Sequence, residues 1–256
     1  MGLVYRGEDP RRGGDVALKF PPAGALGDAQ RLQRFRLEAR TAIELDHPNI
    51  CKVHELVEEG GETFIVMELL SGPTLQERLA LGPLLLPEAL AVLTQAGDGL
   101  AAAHRKGVIH RDLSSSNLMY CADGSVKVMD FGLARALGRT RITSTGTQLG
   151  TPAYMSPEQA LARDADRRSD IWSFGVVLYQ AIAGRLPFEE EHEPALLYSI
   201  LNEDFEPVDE GGAEFSGRLN RVLSKALAKE PEKRYQHVEE AVADLRGLSR
   251  RFAAGF

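Results

Sequence analysis

Cysteine is scarce: two residues in 256, Cys51 and Cys121, far apart and outside any C-x-x-C pair. A disulfide framework or a structural zinc site needs several cysteines at set spacings, so the count argues against both. It points instead to a reducing compartment, the cytoplasm. Long apolar runs are absent as well. The richest stretch, Ile171 to Ala183, is too short to cross a bilayer, and Met1-Gly2-Leu3-Val4-Tyr5-Arg6 opens without an apolar signal core. Nor is there an excess of positive charge. Thirty Lys plus Arg against 37 Asp plus Glu leave a net charge of −7, which weighs against a sequence-independent grip on nucleic acid or on an anionic membrane.

What remains is the make-up of a folded soluble chain, long enough for one large domain or two small lobes around a sizeable core. The acidic runs Glu189-Glu190-Glu191-His192-Glu193 and Glu203 to Glu210 read as solvated loops rather than docking sites for basic substrates. Oligomeric state leaves no trace in the sequence.

The first 70 residues read mainly as strand. Val4 and Asp15 to Phe20 are extended-looking runs separated by Gly13-Gly14, and Lys52 to Val57 and Thr63 to Leu69 flank a Gly60-Gly61 turn. Between them, Leu32, Phe35, Ala39, Ala42 and Ile43 form an amphipathic stripe predicting a helix over Asp28 to about Leu45, with Glu38 on its edge. After Ser71-Gly72-Pro73 the pattern turns helical. Pro87 to Lys106 is one helix closed by Gly107. Leu118-Met119-Tyr120 and Val126-Lys127-Val128 flank Asp123-Gly124, a two-residue hairpin signal. Ser169 to Ala183 is apolar on nearly every side and predicts a buried helix stopped by Gly184, and Ser216 to Phe252 reads as a polar-faced helical tail.

Four motifs sit on this framework. His110-Arg111-Asp112-Leu113-Ser114-Ser115-Ser116-Asn117 matches H-R-D-L-x-x-x-N, and Asp130-Phe131-Gly132 follows the hairpin. Ser156-Pro157-Glu158 stands where A-P-E is expected, and Val16-Ala17-Leu18-Lys19 matches V-A-I-K with one conservative change. Each alone would be weak, since a turn Asp is more often a cap than a ligand. Their order and contexts together are specific. Asp112 and Asn117 lie on one loop entering the hairpin and Asp130 just beyond its second strand, so the turn brings all three together.

On these motifs the chain resembles eukaryotic-type (Hanks-type) serine/threonine protein kinases of bacteria, from Met1 to about Phe252. The resemblance implies an α+β, two-lobed protein-kinase-like fold over residues 1–256, with a small β-rich lobe (1–70) and a larger helical lobe (71–256). It implies ATP and Mg²⁺ as cofactors and Ser or Thr of a protein substrate as acceptor. By resemblance, Asp112 takes the hydroxyl proton, Asn117 and Asp130 hold Mg²⁺, and Lys19 reaches the α/β-phosphates, held by Glu38. Val4 and Ala17 would roof the adenine, Met119 floor it and Met67 back it, with the backbones of Glu68 and Leu70 along its polar edge. Arg111 would receive a phosphate placed on Thr143, Thr145 or Thr147, and Thr151 belongs to the peptide-docking segment Gly150 to Tyr154. Asp170 would brace the catalytic loop, and Arg234 would pair with Glu158.

The chain departs from the pattern twice. Of G-x-G-x-x-G-x-V it carries only Gly2 and Val4, so it is expected to start inside the Gly-rich loop, with the first strand missing. Ser114 stands where the family usually has a lysine beside the transferring phosphoryl group. Two readings follow: a Ser/Thr kinase, or a degenerate kinase-fold module that binds nucleotide or a partner with little transfer. A small-molecule phosphotransferase fits less well, because the segments that serve protein substrates are present.

Overall fold

The computed structural model describes residues 3–21, 29–131 and 152–254, apart from the side chains of residues 29, 31, 34 and 38. Strands β1 (Val4–Asp9), β2 (Gly14–Lys19), β3 (Val53–Glu59) and β4 (Glu62–Glu68) form one antiparallel sheet in the order β1-β2-β4-β3. Gly60 and Gly61 have φ of 62° and 83°, the left-handed pair that a tight two-residue turn between β3 and β4 requires. Helix α1 (Ala29–Ile43) places Phe35 and Ala39, four residues apart on one face, into a core with Ala17, Cys51, Ile65 and Met67. Strand period two puts Lys19 on the same face of β2 as Ala17, and the register sets them opposite Ile65 and Met67 of β4.

The larger lobe is helical: α2 (Leu75–Leu79), α3 (Leu86–Arg105), α4 (Pro157–Ala160), α5 (Arg167–Ala183), α6 (Glu193–Asn202), α7 (Ala213–Ala226) and α8 (Val238–Ala253). At its centre α5 is buried almost throughout, as its all-round apolar sequence predicts. Asp166 caps its start through the Arg168 N–H at 2.8 Å, and Gly184, at φ 71°, ends it in the left-handed conformation. Against it packs α3, where Gly97 permits a close approach to α8; a Cβ there would lie 2.3 Å from a Val242 methyl. Strands β5 (Leu118–Tyr120) and β6 (Val126–Val128) make a separate hairpin on the cleft side, joined to the small lobe through Cys51 N–H to Val128 O at 2.9 Å.

Three local expectations need correction. The hairpin signal at Asp123-Gly124 is not a two-residue turn: Cys121 N–H still bonds Ser125 O at 2.8 Å, so the loop is residues 122–124, with Gly124 at φ 81°. Asp123 supports it by accepting the Ser125 N–H at 2.9 Å. The tail is two helices, because residues 227–237 break between α7 and α8. The carbonyls freed there, Ala228 O and Lys229 O, accept from the Arg234 guanidinium at 2.8 and 3.0 Å, a tertiary demand that periodicity does not carry. The first acidic run is not loop throughout: a short helix, α6, begins at its last residue, Glu193, while Glu189, Glu190 and Glu191 are exposed as expected.

Arg234 also forms the buried pair expected with Glu158, two parallel contacts at 2.8 Å, and Ser169 Oγ donates to the same carboxylate at 2.5 Å. Burial pushes the Glu158 carboxyl up, but the hydrogen bonds and charge of Arg234 outweigh it and hold the group below its ordinary range. The Arg234→Ala variant leaves that carboxylate buried without its cation, and should cost about 3–5 kcal/mol in urea unfolding. The sign of the pH effect follows from the depressed value. The pair's stabilisation is complete above the usual Glu range of about 4.3 and is lost as pH falls through the lower folded value. Wild type should show this acid loss and Arg234→Ala should lack it.

Candidate active site

One buried carboxyl sets the loop that carries the site. Asp170, with no exposed surface, accepts the backbone N–H of His110 at 2.8 Å and of Arg111 at 2.7 Å, and His104 Nε2 lies 2.7 Å from it. This bracing matches the expectation for Asp170. It holds Arg111 at φ 67°, a left-handed conformation costly for a residue with a Cβ. Gln159 Nε2 donates to Arg111 O at 2.8 Å from the far side. His110 is fully buried; its Nε2 lies 2.8 Å from Met129 O and its ring meets the Phe131 ring edge-on at 4.9 Å.

These fixings bring Asp112, Asn117 and Asp130 together, as the motif order predicts. Asn117 Nδ2 donates to Asp112 O at 2.8 Å, and Asn117 O accepts the Met129 N–H at 2.9 Å, which ties the loop to the end of β6. Asp130 follows at φ 61°, a second strained residue. Lys19 reaches across from β2 and donates to Asp130 Oδ1 at 2.5 Å. Burial raises the Asp112 carboxyl above its ordinary value; His110 and Lys19 oppose the shift and Asp130 adds to it.

Above and beside this cluster lie the residues expected around an adenine. Ala17 is buried opposite Met67, which is itself nearly buried, and Met119 on β5 bridges to Thr74. Glu68 ends β4 with its carboxylate 2.8 Å from Lys127 Nζ, and Leu70 follows, partly buried against the small-lobe core. Val4 is 56% exposed, on the edge strand of the sheet. A small cavity behind the cluster is bordered by Lys19, Met67, Cys51, Asp130 and Phe131. Ser114 is buried and its hydroxyl pairs with that of Ser116 at 2.8 Å. Gly2, Thr143, Thr145, Thr147, Thr151 and the Glu38 side chain lie outside the described residues.

Two supports escaped the sequence reading. Gln159 had a signal: Ser156-x-x-Gln159 is a capping-box spacing, and Ser156 Oγ does accept the Gln159 N–H, although nothing predicts the reach to Arg111. Tyr154 had none. Its hydroxyl pairs with Ser115 Oγ at 2.8 Å and donates to Gln180 at 2.7 Å, linking the catalytic loop to α5.

Among the described residues, no helix is long and apolar enough to cross a membrane. The protein kinase domain, as a family, matches residues 1–244. The chain is similar to the serine/threonine-protein kinase PknL of Mycobacterium bovis, 41% identical over 254 residues that cover 98% of this chain and 63% of PknL. It is similar to the serine/threonine-protein kinase PknB of Mycolicibacterium smegmatis, 39% identical over 252 residues, 96% of this chain and 40% of PknB. To the serine/threonine-protein kinase PrkC of Bacillus subtilis it is 37% identical over 247 residues, 96% of this chain and 38% of PrkC. It therefore spans at most 63% of the length of these curated relatives. With a small antiparallel sheet above a helical lobe and a match along nearly its whole length, the chain belongs to the protein kinase family, in its bacterial Hanks-type serine/threonine branch.

Proposed function

We propose that this chain is a single kinase domain, lobes 1–70 and 71–256, that transfers the γ-phosphoryl group of ATP to Ser and Thr hydroxyls of proteins. The observation that carries the reading is the Lys19 to Asp130 contact at 2.5 Å, which sets a β2 ammonium and a carboxylate just beyond the hairpin beside the half-buried Asp112. A phosphoryl acceptor there would lose its proton to Asp112 as its oxygen bonds phosphorus and the bond to the ADP oxygen breaks. The chemistry asks chiefly for positioning and charge, which is what these residues supply.

The donor set suits magnesium. Among the described residues, Asn117 spends its amide N–H₂ on Asp112 O, leaving its Oδ1, and Asp130 spends Oδ1 on Lys19, leaving Oδ2. These are two hard oxygens of the kind Mg²⁺ takes alongside phosphate oxygens and water. Bound there, the ion would neutralise charge on the phosphates. Lys19 would then turn to the α/β-phosphates, with Glu38, three residues after Phe35 on α1, holding it in place. Ala17, Val4, Met67 and Met119 would enclose the adenine, and the backbones of Glu68 and Leu70 would meet its edge. Phosphate on Thr143, Thr145 or Thr147 would engage Arg111, and Thr151 would help seat the peptide.

A second reading, a degenerate module with little transfer, is favoured by Ser114. Its hydroxyl is turned to Ser116 and it brings no charge to the phosphoryl group. Lost stabilisers of this kind cost about 10²–10³ in rate.

Two measurements test the function. The first is the pH profile of transfer to a basic protein substrate, with phosphoserine and phosphothreonine as the products read by mass spectrometry. The rate should fall on the acid side as pH drops through the raised value of Asp112, and Asp112→Asn should lower it by about 10²–10⁴. Activity that survives Asp112→Asn, with no acid limb, would remove Asp112 from the mechanism. The second is Ser114→Lys, which should raise single-turnover transfer about tenfold, equivalent to about 1.4 kcal/mol of barrier. Transfer no greater than the Asp112→Asn blank in both wild type and Ser114→Lys, with folding intact, selects the degenerate module.

A further inference from the structure

Helices α7 and α8 border a solvent-open groove of about 490 Å³ far in character from the acidic whole. Arg218, Arg221 and Lys225 recur at three- and four-residue intervals along one face of α7, and Arg250 and Arg251 line the groove from the last turn of α8. Asp244 is the one carboxylate among the lining residues, and it accepts the Tyr235 hydroxyl at 2.7 Å. Arg218 and Lys225 have exposed partners, Glu214 at 2.9 Å and Glu240 at 3.6 Å. Arg221, Arg250 and Arg251 have no carboxylate partner among the described residues. Five cations thus gather on one groove of a chain whose net charge is −7, and four of them are arginines, whose planar forks suit carboxylates.

We propose that this groove docks an acidic, extended segment of a partner protein. The α7 cations are spread over seven residue steps, about 10 Å of helix, too long a row for one phosphate to engage. A strand carrying carboxylates on alternate residues spaces them about 6–7 Å apart on one side and can meet cations of both walls together. There is room for its backbone over Gly247, where an added Cβ would meet nothing within 4 Å. A flat anionic surface would touch the rims and leave the groove unfilled. Because the charges are exposed, each contributes little alone, and binding should weaken steeply with salt.

The proposal stands apart from phosphoryl transfer, and its test uses no nucleotide. A fluorescein-labelled peptide with glutamate at alternate positions is titrated by anisotropy at low ionic strength, against the same peptide carrying glutamine. The glutamate peptide should bind at least tenfold more tightly than its counterpart. The double variant Arg221→Glu/Arg251→Glu should lose at least tenfold in affinity at an unchanged thermal midpoint; should it unfold, Arg221→Gln/Arg251→Gln is the substitute. Equal binding of the two peptides, or affinity untouched by the substitutions, overturns the proposal. So does sedimentation showing that the arginines pair the chain with a second copy, or flotation showing that anionic phospholipid vesicles bind through them while the peptide does not.

Discussion

Asp170 holds two backbone N–H groups and faces His104 from a position with no solvent contact, and the geometry of the catalytic loop depends on that anchorage. Hydrogen bonds to a charged group contribute about 1.5–3 kcal/mol each, whereas a left-handed conformation costs a residue such as Arg111 about 1–3 kcal/mol. Two or three such bonds therefore outweigh the strain, and the loop keeps a shape it would not adopt alone. The anchor itself is rigid because α5, which carries it, is wrapped on all sides by α3, α7 and the segment around Tyr154.

From that anchor the constraint spreads in two directions. Through His110 and Asn117 it reaches Met129 and sets Asp130 at the start of the next segment. Through Gln159, which takes Arg111 O, it reaches α4, whose Glu158 is pinned by Arg234 from the break between α7 and α8. The buried ion pair adds little net stability against an apolar replacement of the same shape. Its physical effect is to fix where the α4 turn meets the helical core, so the loop is held from α5 and α4 at once.

Much of this was legible in the sequence, and the divide has a physical cause. Motif order brought Asp112, Asn117 and Asp130 together and all-round apolarity marked α5 as the core helix, because both are properties of local chemistry, while Lys19 was added to the site by resemblance. Asp170 and Arg234 were assigned by resemblance, and no periodicity predicts either. The three-residue hairpin loop was misread since Asp-Gly serves both turn types, and only the Cys121 to Ser125 pairing decides between them. The break between α7 and α8 did carry a signal, Pro231, which cannot sit inside a helix; what no pattern shows is that the distant Glu158 draws Arg234 inward. Tyr154 with Ser115 belongs to the same class, a contact between segments that share no pattern.

The charge balance at the cleft shows why Ser114 matters to the proposed reaction. Among the described residues, Asp112 and Asp130 set two carboxylates against the Lys19 ammonium, and Asp130 already adds to the upward push that burial exerts on Asp112. A triphosphate entering this cleft brings further negative charge. At about 4 Å and an effective dielectric near 20, each like pair costs about 4 kcal/mol. Metal ions on Asn117 and Asp130 would offset most of it at the phosphates they touch. They would not neutralise the outer oxygens of the group in flight, next to the acceptor and Asp112. By resemblance that is the place of residue 114, and a hydroxyl bonded to Ser116 brings no charge to it. The electrostatic shortfall is therefore local to the proposed transfer step, and the nucleotide binding proposed for Lys19, the metal-holding oxygens and the apolar slot would not share it.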